Sequence, residues 1–205
     1  MHAKKEKLVD IMIELLTYTL SNRFSEPSAL NFHTTKRRWG YLLSDEIKFK
    51  LLAAFRHIEQ RINLSDFDAR LVFQKQVYLL QELGLKLGNS YGWYRRGPYS
   101  SGAADDGFQL EPIQDDVKNL PELTQDELKA AETLQELVSE SAGRFTSDDK
   151  AYCMELLGSL HFVLKHGYPR SASKEDALRR FKELKPKFGE DSEVALELLD
   201  QKNLI

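Results

Sequence analysis

The apolar positions of this chain fall mostly into stripes of helical period. Leu8, Ile11, Met12, Leu15, Leu16 and Thr19 share one face of a first helix. The stretch from Ser21 to Leu43 breaks the pattern, with Pro27, Asn31, Thr34 and Thr35 ahead of the basic cluster Lys36-Arg37-Arg38-Trp39. Ser44 is the expected N-cap of a helix whose Ile47, Leu51, Phe55, Ile58 and Ile62 lie on one side. Ser65, with Asp68 three residues on, predicts a capping-box start for a helix running through Leu83. Its Leu71, Val72, Val77, Tyr78, Leu79, Leu80 and Leu83 spread over so wide a surface that central burial is expected. Gly84 supplies the left-handed stop.

Between Leu85 and Gly97 the period changes. Gly88-Asn89 is turn chemistry, and the run from Ser90 through Tyr91, Trp93, Tyr94, Arg95 and Arg96 is aromatic and extended in character. A strand pair or wing is expected here, closed by Gly97-Pro98, with Ser100 or Ser101 capping a short helix towards Leu110. Residues 111–123, bracketed by Pro112 and Pro121, read as a loop. Thr124 and Glu127 make a full capping box for a helix carrying Leu128, Ala131, Leu134, Leu137 and Val138. Further starts are expected at Ser147, at Ser173 and at Asp191 or Ser192, with stops at Gly167-Pro169 and before Pro186. The fold class that follows is mainly α, a helical bundle with a small β-strand or wing insertion around residues 88–97, an arrangement that winged-helix proteins also use. Two regions are expected, a basic one over residues 1–110 and an acidic one over 111–205, packed on each other as one unit.

Composition narrows the field. Of 205 residues, 41% are hydrophobic and 30% charged, a globular balance, and no run approaches the roughly 18 consecutive apolar residues that a membrane helix needs. Cys153 is the single cysteine, which excludes an internal disulfide and a cysteine-rich zinc site, and a cytoplasmic protein is the simplest expectation. The net charge of -3 conceals an asymmetry: residues 1–100 hold 16 Lys and Arg against 10 Asp and Glu, whereas residues 101–205 hold 13 against 22. A basic half can attract phosphates or an acidic protein face, or the two halves can attract each other within one fold.

The segment Phe73-Gln-Lys-Gln-Val-Tyr-Leu-Leu-Gln-Glu-Leu-Gly84, followed by Tyr91-Gly-Trp-Tyr-Arg-Arg-Gly-Pro-Tyr-Ser100, is the most distinctive in the chain. It resembles the YwgA-like family and, more distantly, the Panacea (SocA-like) antitoxin domain, which share a helix of the form L-Q-K-x-x-Y-L-x-Q and an aromatic strand ending in W-x-x-G-P. Gln74, Lys75, Tyr78, Gln81, Trp93, Gly97 and Pro98 occupy those places. A weaker echo runs through Leu156–Phe162 and Phe181–Phe188. Tyr99 after the proline fits the first family better than the second. The resemblance implies a helical partner-binding module, in the antitoxin case one that neutralises a toxin, and it supplies no catalytic residue and no cofactor.

Candidate surfaces follow from residue chemistry. Trp93, Tyr94, Arg95, Arg96, Tyr99 and Ser100 form the expected protein-partner surface, because aromatics and arginines anchor interfaces. The alternative is nucleic-acid contact through Lys36, Arg37, Arg38, Lys75, Arg95 and Arg96, with Trp39 and Tyr41 interleaved, although a pI near 6.0 is low for a DNA-binding domain. His161 and His166 are five apart, poor spacing for a metal. Cys153 reads as a buried inert thiol, and Asp105-Asp106 and Asp115-Asp116 as helix-start and loop charges. The stretch Gly97–Gly102 precedes a helix start that could bind an anion, yet it matches neither a P-loop nor a dinucleotide fingerprint. No nucleophile elbow, zinc-protease or kinase signature occurs, so no enzyme is expected.

Overall fold

The computed structural model describes residues 46–167 and 173–205, where the apolar stripes become seven helices and one β-hairpin. Helix α1 (residues 46–57) leads through an extended segment to α2 (Phe67–Glu82). The hairpin strands β1 (Gly92–Tyr94) and β2 (Gly97–Tyr99) follow, then α3 (Ser101–Leu110) and a 3-10 turn at Glu111–Ile113. The remainder is α4 (Gln125–Ser141), α5 (Lys150–His166), α6 (Lys174–Leu184), a 3-10 turn at Pro186–Phe188, and α7 (Ser192–Gln201). The expected helix from Leu8 to Thr19, the cluster Lys36-Arg37-Arg38 with Trp39 and Tyr41, the Ser44 cap and Pro169 lie outside the described residues.

Local chemistry sets most boundaries. Thr124 and Glu127 exchange both bonds of a capping box, Thr124 Oγ1 accepting from Glu127 N at 3.3 Å while Glu127 Oε2 accepts from Thr124 N at 2.9 Å. Ser100 and Ser173 cap α3 and α6 by accepting the third amide of each helix. Within the expected Ser147-Asp-Asp start it is Asp149 that caps α5, accepting from Ala151 N. Two expectations need correction. Helix α2 is capped by Asp66, not Ser65, because the charged oxygen takes the Ala69 amide at 2.8 Å. Ile62 is not on the face of α1, which ends at residue 57; it is buried from the extended segment that follows. The loop from residue 111 is also not free-standing, since Gln114 exchanges hydrogen bonds with both backbone groups of Ile62 at 2.9 Å.

Helices α2 and α5 make the most extensive pairing and form the centre of the core. Each is buried on nearly every face, from Leu71 to Leu80 in one and from Cys153 to Val163 in the other. Phe73, Tyr78, Leu134, Leu157, Phe181 and Leu198 belong to one continuous apolar cluster, so the core runs without a gap across residue 110. Among the described residues no helix is long and apolar enough to cross a membrane.

The most enclosed titratable group of this core is paired on both sides. His161, fully buried, sits 2.7 Å from Tyr78 Oη through Nδ1 and 3.1 Å from the Leu204 carbonyl through Nε2. A carbonyl only accepts, so Nε2 carries the proton and Nδ1 accepts from the tyrosine. Burial then holds the imidazole neutral, with a pKa lowered to about 4; the Leu204 bond opposes this shift and the charges of Lys165 and His166 assist it. The folded state therefore binds fewer protons than the unfolded one between pH 4 and 6.5. Stability contributed by neutral His161 is complete above pH 6.5 and falls as the pH drops, by about 3 kcal/mol at pH 4. Chemical denaturation of the wild type and of His161→Gln at pH 7 and pH 4 checks this: the variant should lack most of that loss.

Candidate functional site

Polar side chains of α2 hold the hairpin on both flanks. Two residues on α2 that are seven apart, and so on one face of the helix, each grip a backbone amide and its carbonyl. Gln74 donates to Ser100 O at 2.9 Å and accepts from Ser100 N at 3.2 Å. Gln81 donates to Asn89 O at 3.0 Å and accepts from Asn89 N at 2.8 Å. Between them Lys75 donates its ammonium to Pro98 O at 2.6 Å, and Tyr78 packs edge-on to Tyr91 at 5.0 Å between ring centroids. Four positions of the sequence motif thus clamp the segment from Asn89 to Ser100.

The turn places two arginines at the tip. Tyr94 faces Gly97 across the ladder, so Arg95 and Arg96 form the bend, and neither has a positive φ. The left-handed position comes one residue later, at Gly97 with φ of 85°, in the manner of a type I turn completed by glycine. A Cβ at Gly97 would collide with Ser159 Oγ, which explains why β2 can lie so close on α5. Ser159 Oγ itself is buried with no hydrogen-bond partner. Alternation along β1 turns Trp93 towards Phe162, 5.9 Å away, and leaves Tyr94 outside.

Beneath the tip lies an ionic hub. Glu155, on α5, is 2% exposed and its carboxylate receives three cations. Lys185 Nζ meets Oε1 at 2.8 Å, while Arg96 Nη1 and Lys187 Nζ both meet Oε2 at 2.9 Å. Burial alone would raise the pKa of this acid; the bonds from Lys185, Lys187 and Arg96 outweigh it and bring the pKa down to about 2. The stability that the hub contributes is complete above pH 4.5 and declines as the pH falls towards 2, where the carboxylate itself takes up a proton. Lys75 is affected oppositely, because desolvation at its buried position lowers its pKa to about 7, against the pull of Glu155 and with the push of Lys185. Lys185 also lies 5.6 Å from the centre of the Trp93 ring.

The expected site residues separate into three groups. Tyr94, 58% exposed, and Tyr99 stand outside in edge contact at 5.2 Å, with Arg95 and Arg96 exposed beside them. Trp93 is half-buried and Ser100 is buried, as a helix cap and clamp partner, so Ser100 does not belong to a partner surface. Lys75 is 2% exposed beneath the hairpin and cannot join Arg95 and Arg96 in a basic patch. Lys36, Arg37 and Arg38 lie outside the described residues. Sequence reasoning missed Glu155, Lys185, Lys187 and the exposed Phe67, whose ring lies 5.6 Å from the Arg96 guanidinium. A lone carboxylate in the apolar run Cys153–Val163 was a usable signal, as was the lysine pair around Pro186.

Among the described residues no group of His, Cys, Asp and Glu could hold a metal ion. Cys153 is buried, its thiol pKa raised first by burial, and Asp115 pairs with Arg61 through both carboxylate oxygens. Three substitutions test this geometry. Gln74→Ala strands the buried Ser100 amide, whose carbonyl keeps its bond from Ala104 N, and should cost about 1–3 kcal/mol in urea denaturation. Glu155→Gln leaves buried Lys185 uncompensated and should cost on the order of 3 kcal/mol, whereas Lys187→Ala, at a half-exposed position, should cost about 1 kcal/mol or less. Comparison with family models, with curated proteins and with solved structures finds no match for this chain.

Proposed function

We propose that this chain is a non-catalytic helical binding module of the YwgA-like or Panacea-like kind, acting in the cytoplasm through protein–protein contacts. An antitoxin-like or defence-associated adaptor is its sharpest form. The observation that supports the reading is the exposed face of the clamped hairpin. Tyr94, Tyr99 and Phe67 are large apolar side chains exposed beside Arg95 and Arg96, on a backbone fixed by Gln74 and Gln81. Rigid aromatics next to arginine lose little conformational entropy on docking, and such residues carry most of the binding energy in interfaces.

The alternative, nucleic-acid binding by a winged-helix-type protein, draws support from the two arginines at the hairpin tip. Lys75 counts against it, since that cation is spent inside the fold. The pI near 6.0 does as well.

Affinity capture with the tagged chain, wild type against a Tyr94→Ala/Tyr99→Ala variant, tests the proposal. A partner should be recovered in stoichiometric amount with the wild type, and its affinity should drop roughly ten- to a hundredfold in the variant while the melting temperature holds. A wild-type chain that recovers no partner, yet binds a short DNA duplex with steep salt dependence, contradicts it.

A further inference from the structure

Resting on the protein-binding reading above, we infer that Arg96 and Lys187 form a cationic notch that seats a carboxylate of the partner, so that the partner's docking segment is acidic and apolar. One carboxylate receives three cations in the hub, which leaves positive charge in excess. Lys185 is enclosed and takes Glu155 Oε1, with its remaining bond to the Arg95 carbonyl. Arg96 and Lys187 share Oε2, each at 2.9 Å, so the two heads stand within twice that distance of each other.

Both heads also reach solvent. The Arg96 and Lys187 side chains are 48% and 44% exposed although the acid that joins them is 3% exposed. Each makes one hydrogen bond to Glu155, and a guanidinium has five donors and an ammonium three. Their positions are fixed from below: Arg96 lies over Phe67, and Lys187 lies 4.4 Å from the centre of the Phe188 ring. Two fixed cations with donors to spare suit a second carboxylate, because little ordering remains to be done on binding.

The surroundings select the occupant. Exposed Phe67 lies under Arg96, and Tyr94 and Tyr99 are displayed on the hairpin whose tip carries Arg95 and Arg96. A nucleic-acid strand would need cations spaced along its backbone, and the two lysines beneath the hairpin, Lys75 and Lys185, are enclosed. An acidic segment with apolar side chains between its carboxylates satisfies both the notch and the rings.

The test uses the full chain and three labelled probes followed by fluorescence anisotropy: a peptide of alternating Glu and Phe, its Gln-for-Glu counterpart, and a short DNA duplex. The acidic peptide should bind roughly tenfold or more tightly than the amide peptide, and Lys187→Ala should weaken it about tenfold without lowering the melting temperature appreciably. Equal binding of the two peptides, an unchanged affinity in Lys187→Ala, or preference for the duplex overturns the notch. Partner capture separates this from the broader reading. Capture that survives Lys187→Ala but is lost in Tyr94→Ala/Tyr99→Ala removes the notch and keeps the hairpin as the protein-binding face. Capture that neither variant affects removes the notch and the hairpin face together, and a wild-type chain that recovers no partner removes the protein-binding function.

Discussion

A hairpin of two three-residue strands does not hold its shape in water, since it lacks both the ladder length and the apolar face that make a sheet stable. Here its geometry comes from outside. Gln74 and Gln81 on α2 stand in for neighbouring strands, each offering an amide donor and acceptor to one backbone residue. Every such bond contributes only about 1 kcal/mol net, but losing one strands buried groups and costs more. The clamp is strongest at Gln74 because that end is buried, and it is buried because α2 itself lies in the middle of the core. Core packing, the polar stripe on α2 and the displayed tyrosines form one chain of dependence.

The charge asymmetry of the sequence takes on a physical meaning in the same frame. Lys50 with Glu127, Arg61 with Asp115 and Arg96 with Glu155 each join a cation from the first hundred residues to an acid from the second. Much of the opposition between the halves is thus satisfied inside the fold, where it helps to orient α1 and the hairpin against α4 and α5. Among the described residues, Arg95, Arg96 and Lys187 bring positive charge together where the hairpin tip meets solvent. Near neutrality overall and a local cationic surface are compatible because the compensation is local too.

Much of this architecture was legible in the residues. The Thr124–Glu127 box, the Ser100 and Ser173 caps and the change of period at Tyr91–Arg96 all act through neighbours in sequence, so spacing alone reveals them. Apart from the local displacement of Ser65 by Asp66, the failures come from groups distant in the chain. Asp191 stands at the start of α7 but does not cap it, because Thr146 and Tyr152 claim its carboxylate. Lys75 reads as a surface cation until α5 and the hairpin enclose it, and Glu155 becomes a hub only when segments thirty and sixty residues away arrive. Most of the candidate surface, Tyr94, Arg95, Arg96 and Tyr99, stood in the sequence as an aromatic and basic run; Phe67 and Lys187 come from elsewhere in the chain and join it only through folding.

The central claim is that the hairpin is held by α2 as part of the core rather than resting on the surface as a mobile wing. Native-state amide hydrogen exchange tests it directly at Asn89 and Ser100, whose N–H groups are donated to Gln81 and Gln74. The account predicts that these amides open with the same free energy as the core of α2 around Val77 to Leu80. Exchange by a separate low-energy opening, with α2 still protected, would contradict it.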